Sequence, residues 1–283
     1  MESTSSTSIS HNACIPPILH YCWFGRGEKP ELVRRCIASW QKQLPAYELR
    51  EWNESNFDPD VIPYTAQAYA RKKYAFVSDY ARLWVLQRYG GIYLDTDVEV
   101  LKPLDRFRLH DCFFGFENDR GVAPGLIMGC RAGHPILQEL MDYYEHNSFV
   151  GEDGTINTYT TVQNCTAVLL RHGLKLDASL RQTLDDITVY EQSVFCPDKT
   201  ARETGCYAPE TFTAHHYAAS WRTESYNRKL NNPLWRALVE SSAWAGKCAA
   251  KVLGQNRWDT IKRRYLGGLY DSLRGVKDKQ IHE

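Results

Sequence analysis

Two carboxylates separated by one residue, Asp95 and Asp97, have the residue types and spacing that suit metal chemistry. Two acids at this spacing are also common on solvated loops, so the pair alone leaves both interpretations open. Here the pair follows Gly90-Gly91 and the apolar residues 92–94, which predict a short buried strand. Carboxylate oxygens select Mg²⁺ or Mn²⁺, and these ions keep coordination positions for phosphate oxygens. The motif therefore predicts a divalent-cation site that receives a diphosphate.

Asp79 and Arg82 lie three residues apart within residues 74–89, a segment that is apolar around nearly its whole circumference. Such a pattern predicts a buried helix on which the two charged side chains share one face. One interpretation is a structural ion pair inside the protein. The other is a polar pocket in which Arg82 approaches phosphate or sugar and Asp79 accepts hydrogen bonds from sugar hydroxyls. The nearby Asp95 and Asp97 favour the second interpretation.

The elements that must position these residues alternate between strands and helices. This alternation predicts an α/β fold with a mixed, mainly parallel sheet covered on both faces. In such sheets ligands bind at the carboxyl ends of the strands, where Asp95 and Asp97 are expected. Strands are predicted at 18–23, 47–52, 92–94, 98–101, 112–116, 126–130, 187–190 and 212–217, and helices at 32–40, 74–89, 136–144 and 156–170.

The 283 residues, of which 43% are hydrophobic and 12% aromatic, are enough for one substantial core. We expect a disordered N-terminus at 1–14, a catalytic domain at 15–222 and a helical, basic C-terminal region at 223–283. The formal net charge of zero gives no global field that would attract nucleic acid. Nine cysteines without any Cys-x-x-Cys pair, and no secretory segment before them, favour a reducing cytoplasm with most cysteines buried in the core.

Residues 247–279 carry nine lysines or arginines against three aspartates, a local charge of +6. Apolar residues at helical spacing run between these charges, which predicts an amphipathic helix. Such a helix either packs on its own domain or lies on an anionic membrane surface. No apolar run in the chain approaches the ~20 residues that a transmembrane helix needs. The sequence therefore predicts a cytoplasmic protein with peripheral contact to the inner membrane face.

Residues 78–82 (Ser-Asp-Tyr-Ala-Arg) and 89–97 (Tyr-Gly-Gly-Ile-Tyr-Leu-Asp-Thr-Asp) strongly resemble the DxD sugar-binding region of glycosyltransferase family 32. That family includes bacterial capsule and surface-polysaccharide transferases and fungal mannosyltransferases, and the glucosyltransferase domain of clostridial toxins is a more distant relative. Residues 18–25, 51–53 and 215–221 resemble the bacterial branch. The resemblance spans about residues 15–221.

This resemblance implies a GT-A type, Rossmann-like nucleotide-sugar-binding sheet flanked by helices, with a C-terminal helical tail. It also implies a retaining transfer from a UDP-sugar with Mn²⁺ or Mg²⁺ as cofactor. Asp79, Arg82 and Asp97 are the catalytic residues that it indicates. The implied donor contacts are uracil stacking for Trp23, ribose or sugar contact for Tyr93, sugar and phosphate contact for Asp79 and Arg82, and closure over the diphosphate for Ser220 and Trp221. Asp97 is implied as the direct metal ligand and His216 as a further metal contact. Asp95 either reaches the metal through water or holds the ribose.

Several points stay open at this stage. Trp23 alone would more often be a core residue. His215 and His216 face opposite sides if their segment is a strand, and the sequence does not show which one faces the metal. Residues 122–126 depart from the Asn-Thr-Gly-like segment that the family resemblance leads one to expect, so sugar or acceptor selection can differ. Asp153 is a loop acid that a retaining enzyme could use as a nucleophile.

The predicted function is transfer of one hexose, with galactose expected, from a UDP-sugar to a glycan acceptor. The acceptor is expected to be polyprenyl-diphosphate-linked, in the synthesis of capsule, O-antigen or exopolysaccharide. We expect a same-face displacement in which Arg82 and the metal stabilise the departing diphosphate. Two alternatives remain: a toxin-like enzyme that glycosylates a protein, and a non-catalytic nucleotide-sugar-binding module.

Overall fold

The computed structural model describes residues 14–218, and the predictions for residues 1–13, Ser220, Trp221 and the tail 223–283 lie outside them. Strands and helices alternate along this range, as the sequence predicts. The strands are β1 (Ile18–Cys22), β2 (Glu48–Trp52), β3 (Gly91–Tyr93), β4 (Val98–Val100), β5 (Cys112–Asn118), β6 (Gly121–Val122), β7 (Met128–Cys130), β8 (Gln182–Leu184), β9 (Ile187–Tyr190) and β10 (Thr213–His215). The helices are α1 (Glu31–Gln43), α2 (Pro63–Ala70), α3 (Tyr74–Tyr89), α4 (Pro135–His146), α5 (Thr161–Arg171), α6 (Gln192–Phe195) and α7 (Lys199–Thr204).

The main sheet has the strand order β2-β1-β3-β7-β5-β9-β8, with β6 paired to β5, and β4 and β10 form a separate two-stranded ribbon. Strand β1 runs parallel to β2 and β3, and β5 runs parallel to β9. The predicted mixed α/β sheet flanked by helices is confirmed. The parallel β2-β1-β3 unit leads into the Asp-x-Asp motif, which follows β3.

The prediction that the sheet is mainly parallel is wrong. Strand β7 is antiparallel to both β3 and β5, and β8 is antiparallel to β9. A parallel connection needs a crossover of a dozen or more residues. The short links between β5, β6 and β7 do not allow one, so the chain must reverse direction there.

Alternate side chains of the strands pack into two buried clusters, one on each face of the sheet. Phe114 and Phe116 of β5 belong to the cluster that contains residues of α3, α4 and α5. Phe113, the residue before Phe114, belongs to the cluster that contains Trp40 of α1 and Phe195 of α6. This two-residue period is the pattern of a strand covered on both faces.

Helix α3 has the bounds predicted from its apolar pattern. It ends at Gly90, whose φ of 63° lies in the left-handed region that glycine adopts without strain. Gly91, with φ of 114°, allows a close approach to β1, because a Cβ there would lie 2.7 Å from the Ile18 carbonyl oxygen. The chain thus passes directly from α3 into β3, and the motif follows at the end of this strand.

Two predicted elements are shorter in the structure. Helix α5 begins at Thr161 rather than at residue 156, because Thr160 and Gln163 form a capping box that starts the helix there. The predicted strand at 212–217 is limited to Thr213–His215, and Tyr217 has a left-handed φ of 53° that a strand cannot contain.

Most of the described cysteines are buried, as expected. Cys112 of β5 and Cys130 of β7, which lie opposite each other in the antiparallel register, are joined as a disulfide that the sequence analysis does not predict. The other buried cysteines are Cys22, Cys36, Cys165 and Cys196. Across residues 14–218, every helix is too short or too polar to cross a bilayer.

Candidate active site

Arg82 joins the buried helix to the Asp-x-Asp motif. Its Nη2 lies 3.0 Å from Oδ1 of Asp79 and 3.2 Å from Oδ1 of Asp95, and its Nε donates to the Ser78 carbonyl. Only 4% of the Arg82 side chain is exposed. Its Nη1 is buried without a hydrogen-bond partner anywhere in residues 14–218. A buried guanidinium with a free donor indicates a place where an external acceptor can bind.

Asp95 is fixed from several directions. Its Oδ1 accepts a hydrogen bond from the hydroxyl of Tyr93 at 3.1 Å, and its backbone N–H donates to the Gly125 carbonyl at 2.8 Å. The Tyr93 ring, which is 1% exposed, also lies under the Arg82 guanidinium, 4.8 Å from its carbon. Tyr93 thus contacts both Asp95 and Arg82, and its assignment to ribose or sugar contact stays a prediction.

Gly125 has no room for a side chain. A Cβ at this position would overlap Oδ2 of Asp95 and would lie 2.8 Å from Nη1 of Arg82. Gly125 belongs to the segment 122–126, which departs from the expected family pattern. The structure shows that this segment forms one wall of the site.

Asp97 is held by the chain that follows β10. Its Oδ1 lies 3.2 Å from Nε2 of His215, and its Oδ2 accepts the Ala218 N–H at 2.7 Å. Its carbonyl oxygen accepts the N–H of His216 at 2.9 Å. The side chains of Asp97 and His215 are both 14% exposed. The carboxylate is therefore locked in one orientation while part of its surface still faces solvent.

The imidazole of His216, the predicted third metal contact, does not pair with the Asp97 carboxylate in this structure. Its Nε2 pairs with Oε2 of Glu99 on β4 at 2.9 Å. His215 and His216 thus pair with different acids, Asp97 and Glu99. The geometry puts His215, the neighbour that the sequence left as the alternative, beside Asp97.

Burial and neighbouring charges shift the pKa values in opposite directions. Burial raises the pKa of Asp79 to about 6, against the lowering effect of Arg82. Burial alone would also raise the pKa of Asp97, but the His215 imidazole and the Ala218 N–H outweigh it and hold that pKa below its usual value. Burial opposes the charge on His215, yet Asp97 raises its pKa above 6.5. Asp97 and His215 therefore each favour the charged form of the other.

Trp23 lines an open cleft of about 450 Å³ at the end of β1. Its ring is partly exposed, and its Nε1 donates to the Gly27 carbonyl at 2.7 Å. Lys29, paired with Glu51 at 2.9 Å, lies 5.7 Å from the ring centre. Strands β1 and β3 are parallel neighbours, so Trp23 and Asp95 leave the sheet at the same edge.

Asp153 is not part of this arrangement. It lies in an exposed turn, where its Oδ1 accepts hydrogen bonds from the N–H and hydroxyl of Thr155. No hydrogen bond or ion pair within residues 14–218 connects it to Asp79, Asp95 or Asp97. The structure therefore brings together Asp79, Arg82, Asp95 and Asp97 and leaves Asp153 outside.

Sequence reasoning missed two residues of the site. The signal for Gly125 was its position after Pro124 in a tight turn between two strands, where a glycine often permits a close approach. Tyr217, which stacks on His215 with ring centres 4.1 Å apart, carries no sequence signal for its left-handed backbone.

Comparison with known proteins gives a family and two curated relatives. The family described as "Glycosyltransferase sugar-binding region containing DXD motif" matches residues 30–114, from α1 to β5. An uncharacterized glycosyltransferase of Acanthamoeba polyphaga mimivirus is 25% identical over 222 residues, covering 73% of this chain and 84% of the viral protein. Inositol phosphoceramide mannosyltransferase 3 of Schizosaccharomyces pombe is 29% identical over 136 residues, covering 47% of this chain and 38% of the yeast protein.

Two solved structures are also similar. The PaToxG glycosyltransferase has a TM-score of 0.44 at 19% identity, covering 56% of this chain and 69% of its own. A glycosyltransferase involved in the glycosylation of the major capsid of PBCV-1 has a TM-score of 0.40 at 14% identity, covering 73% of this chain and 95% of its own.

Proposed function

Because the chain is a glycosyltransferase with a DXD sugar-binding region, we propose that it transfers one hexose from a UDP-sugar to a glycan acceptor. The predicted enzyme class is confirmed by the matched region and the curated relatives. Galactose as the sugar, retention of its configuration, dependence on Mn²⁺ or Mg²⁺ and membership of the bacterial branch of family 32 are parts of the proposal.

The observation that carries the proposal is the double contact of Arg82 with Asp79 and Asp95. It puts a buried positive charge with a free N–H donor beside the motif, where a departing diphosphate would gain negative charge. Asp79, whose Oδ1 pairs with Arg82, can accept hydrogen bonds from hydroxyls of the transferred sugar. Arg82 thus couples Asp79, the acid proposed to bind the sugar, to Asp95, an acid proposed to bind the metal.

The residues at the motif suit a divalent cation. Asp97, with Asp95 directly or through water, would supply oxygen ligands, and His215 would supply an imidazole nitrogen in place of His216. Nδ1 of His215 is buried and has no hydrogen-bond partner within residues 14–218, while its Nε2 lies 3.2 Å from Asp97. When bound, the cation would neutralise charge on the diphosphate. Its remaining positions would be open to phosphate oxygens.

In the proposed reaction the bond between the anomeric carbon and the β-phosphate oxygen breaks. The acceptor hydroxyl oxygen forms a new bond to the same carbon on the same face, and its proton passes to the departing diphosphate. Arg82 stabilises the charge that develops on this leaving group. Trp23, at the same sheet edge, would stack on the uracil ring. The engagement of Asp153 by Thr155 supports a direct displacement over a covalent adduct on that residue.

For the acceptor we propose a lipid-linked glycan in the synthesis of a capsule, O-antigen or exopolysaccharide. The name of the fission-yeast relative, an inositol phosphoceramide mannosyltransferase, describes an enzyme that acts on a lipid. The basic segment 247–279, outside the described residues, would bring this enzyme to an anionic membrane surface. A chain ending at Trp244 should then lose co-sedimentation with anionic vesicles, and undiminished sedimentation would contradict the anchoring role.

The enzymatic test is UDP release by the purified full chain with Mn²⁺ and a panel of UDP-sugars. We expect slow hydrolysis of one donor, abolished by Asp97→Asn and unaffected by the exposed control Asp153→Asn. Release of GDP from GDP-mannose would show that the donor is a GDP-sugar and not the proposed UDP-sugar. Equal release by wild type and Asp97→Asn would contradict the role of the motif. Donor binding without turnover, even with added lipid-linked or protein acceptors, would favour the non-catalytic module.

A further inference from the structure

Tyr217 has a backbone conformation that large aromatic residues rarely adopt. Its φ of 53° lies in the left-handed region, where the side chain approaches its own backbone and raises the free energy. Such a conformation persists only where surrounding contacts enforce it, and it marks positions worth functional scrutiny. Tyr217 follows β10 by two residues and is 37% exposed, so core packing alone does not explain it.

The left-handed turn allows two backbone N–H groups to donate to the same residue, Asp97. The N–H of His216, before the turn, donates to the carbonyl oxygen of Asp97 at 2.9 Å. The N–H of Ala218, after the turn, donates to the Asp97 carboxylate at 2.7 Å. In an extended strand, alternate N–H groups lie ~6.6 Å apart along the chain, too far to share one residue in this way. The conformation of Tyr217 therefore sets the orientation of the Asp97 carboxylate.

The side chain of Tyr217 is held from three directions. Its ring stacks on the His215 imidazole with centres 4.1 Å apart and an interplanar angle of 28°. The guanidinium carbon of Arg202, from α7, lies 4.6 Å from the ring centre. The hydroxyl lies 3.0 Å from Sγ of Cys196, which is 1% exposed. These contacts fix both the turn and the plane of the His215 ring.

A ring beside a sugar site can also serve as a stacking platform for a sugar. Here the His215 imidazole and the Arg202 guanidinium already lie within 5 Å of the ring centre, so the ring is engaged by protein groups. The ring of Tyr217 contacts His215, and the turn at Tyr217 brings the Ala218 N–H to Asp97. This arrangement fits support of those two residues better than contact with a ligand.

We propose that Tyr217 is a positioning residue that holds Asp97 and His215 in the geometry for metal and diphosphate binding. The inference rests on the proposed function, because it assigns Asp97 and His215 to the metal. Tyr217 acts through two routes: the left-handed turn delivers Ala218 N–H to Asp97, and the ring orients His215. Ligands that are oriented by such supporting contacts bind metals more tightly than mobile ones.

Three substitutions separate these routes. Tyr217→Phe keeps the turn and the ring and removes only the hydroxyl. Tyr217→Gly removes the ring and keeps the turn, since glycine adopts positive φ without strain. Tyr217→Val removes the ring and opposes the turn, because β-branched residues strongly disfavour this region. The measurement is Mn²⁺ binding to the full chain in the presence of UDP, followed by the EPR signal of free Mn²⁺.

We expect Tyr217→Phe to bind Mn²⁺ within about twofold of wild type, since it keeps the aromatic stack. Tyr217→Gly should bind about three- to tenfold more weakly, which is the range for loss of one aromatic contact. Tyr217→Val should bind Mn²⁺ about tenfold more weakly than Tyr217→Gly, because the turn is lost as well as the ring. In donor hydrolysis, the Mn²⁺ concentration for half-maximal rate should shift in the same order.

Lys72 provides a matched control for backbone strain. Its φ is 56°, and it lies in the exposed turn between α2 and α3. Lys72→Val should lower the unfolding temperature relative to Lys72→Gly, as at Tyr217, but leave Mn²⁺ affinity unchanged. A thermal shift at both sites with a change in Mn²⁺ affinity only at Tyr217 would distinguish positioning from general stability.

Equal Mn²⁺ affinity of the glycine, valine and wild-type proteins would overturn the inference while leaving the proposed function intact. If the valine variant fails to fold, the glycine variant still decides, because wild-type affinity in that variant excludes the role of the ring. A wild-type protein that neither binds Mn²⁺ with UDP nor hydrolyses any donor would refute the proposed function itself, and the Tyr217 assignment with it.

Discussion

Gly125 lies directly against Asp95 and is close to both its backbone N–H and its carboxylate. The Gly125 carbonyl accepts the Asp95 N–H at 2.8 Å, and a Cβ on Gly125 would overlap the Asp95 carboxylate. The wall of the site that departs from the family pattern is thus also the wall that fixes the first acid of the motif.

Gly125→Ala should impair catalysis more than stability. The added methyl group would push Asp95 and Nη1 of Arg82 out of position, and small displacements at reacting groups are costly. We expect kcat/KM for donor hydrolysis to fall about 100-fold. Gly154→Ala is the control, because it meets no atoms within 4 Å and introduces only backbone strain at φ of 80°. Similar activity losses in both variants would contradict the steric explanation.

Replacing Arg82 should affect both folding and turnover. Arg82→Gln would leave Asp79 buried without its charge partner, which typically costs about 3–5 kcal/mol of unfolding free energy. Arg82→Lys keeps the charge but cannot bridge two carboxylates with a planar fork, so we expect a loss of about 100-fold in kcat. Urea unfolding and UDP release measure the two effects. Adding Asp79→Asn to Arg82→Gln should recover stability but not activity, and recovery of activity would contradict a phosphate role for Arg82.

His215→Ala and His216→Ala form a neighbouring pair that separates the two possible metal contacts. His215 faces Asp97 and His216 faces Glu99, so only the first should matter for the cation. We expect His215→Ala to weaken Mn²⁺ binding about 10- to 100-fold and His216→Ala to change it by less than about threefold. Titration of Mn²⁺ with UDP present checks this. The reverse order would restore the assignment made from the sequence.

The Asp97–His215 pair should make stability depend on pH in metal-free protein. The folded-state pKa of His215 is raised, so its contribution is fully present below its unfolded value of 6.5 and is lost as the pH rises through the folded value. The folded-state pKa of Asp97 is lowered, so its contribution is present above 3.8 and is lost only in acid. Wild type should therefore lose stability relative to His215→Gln as the pH rises above 6.5 through the folded-state pKa of His215.

Like His215, Asp79 has a raised pKa and makes the free energy of unfolding fall as the pH rises, but it does so at lower pH. Because its folded-state pKa is raised to about 6, its contribution is present below 3.8 and is lost as the pH rises to about 6. Urea unfolding in EDTA across the acid and neutral ranges, on wild type and His215→Gln, separates the two groups. Parallel curves for these two proteins above pH 6.5 would contradict the imidazolium assignment.

The sequence predicted the part of the site that local patterns encode. Helix α3 is apolar around its circumference and ends at a glycine, so its bounds and the position of Asp95 after β3 followed directly. The direction of β7 was not encoded locally, because a strand pattern reads the same in a parallel or antiparallel sheet. The chain reverses in the short link between Asn118 of β5 and Gly121 of β6, and β7 continues in the direction of β6.

The choice between His215 and His216 shows the same limit. Strand alternation predicts only that adjacent side chains differ in direction, and which histidine meets Asp97 depends on the register between β10 and β4. That register is a tertiary property. The left-handed turn at Tyr217 likewise follows from contacts with Cys196, Arg202 and Asp97, which lie far away in sequence.

The arrangement of acids and bases around Arg82 also determines how the site would meet its ligand electrostatically. Three carboxylates, Asp79, Asp95 and Asp97, stand against Arg82 and His215, which together carry at most two positive charges, so at least one negative charge is in surplus. A bare diphosphate diester would approach against that charge. The same diphosphate carrying a divalent cation is electrically neutral and would approach without this repulsion. The effective substrate concentration would then be that of the metal–nucleotide-sugar complex, so chelation would lower the rate by depleting substrate as well as cofactor.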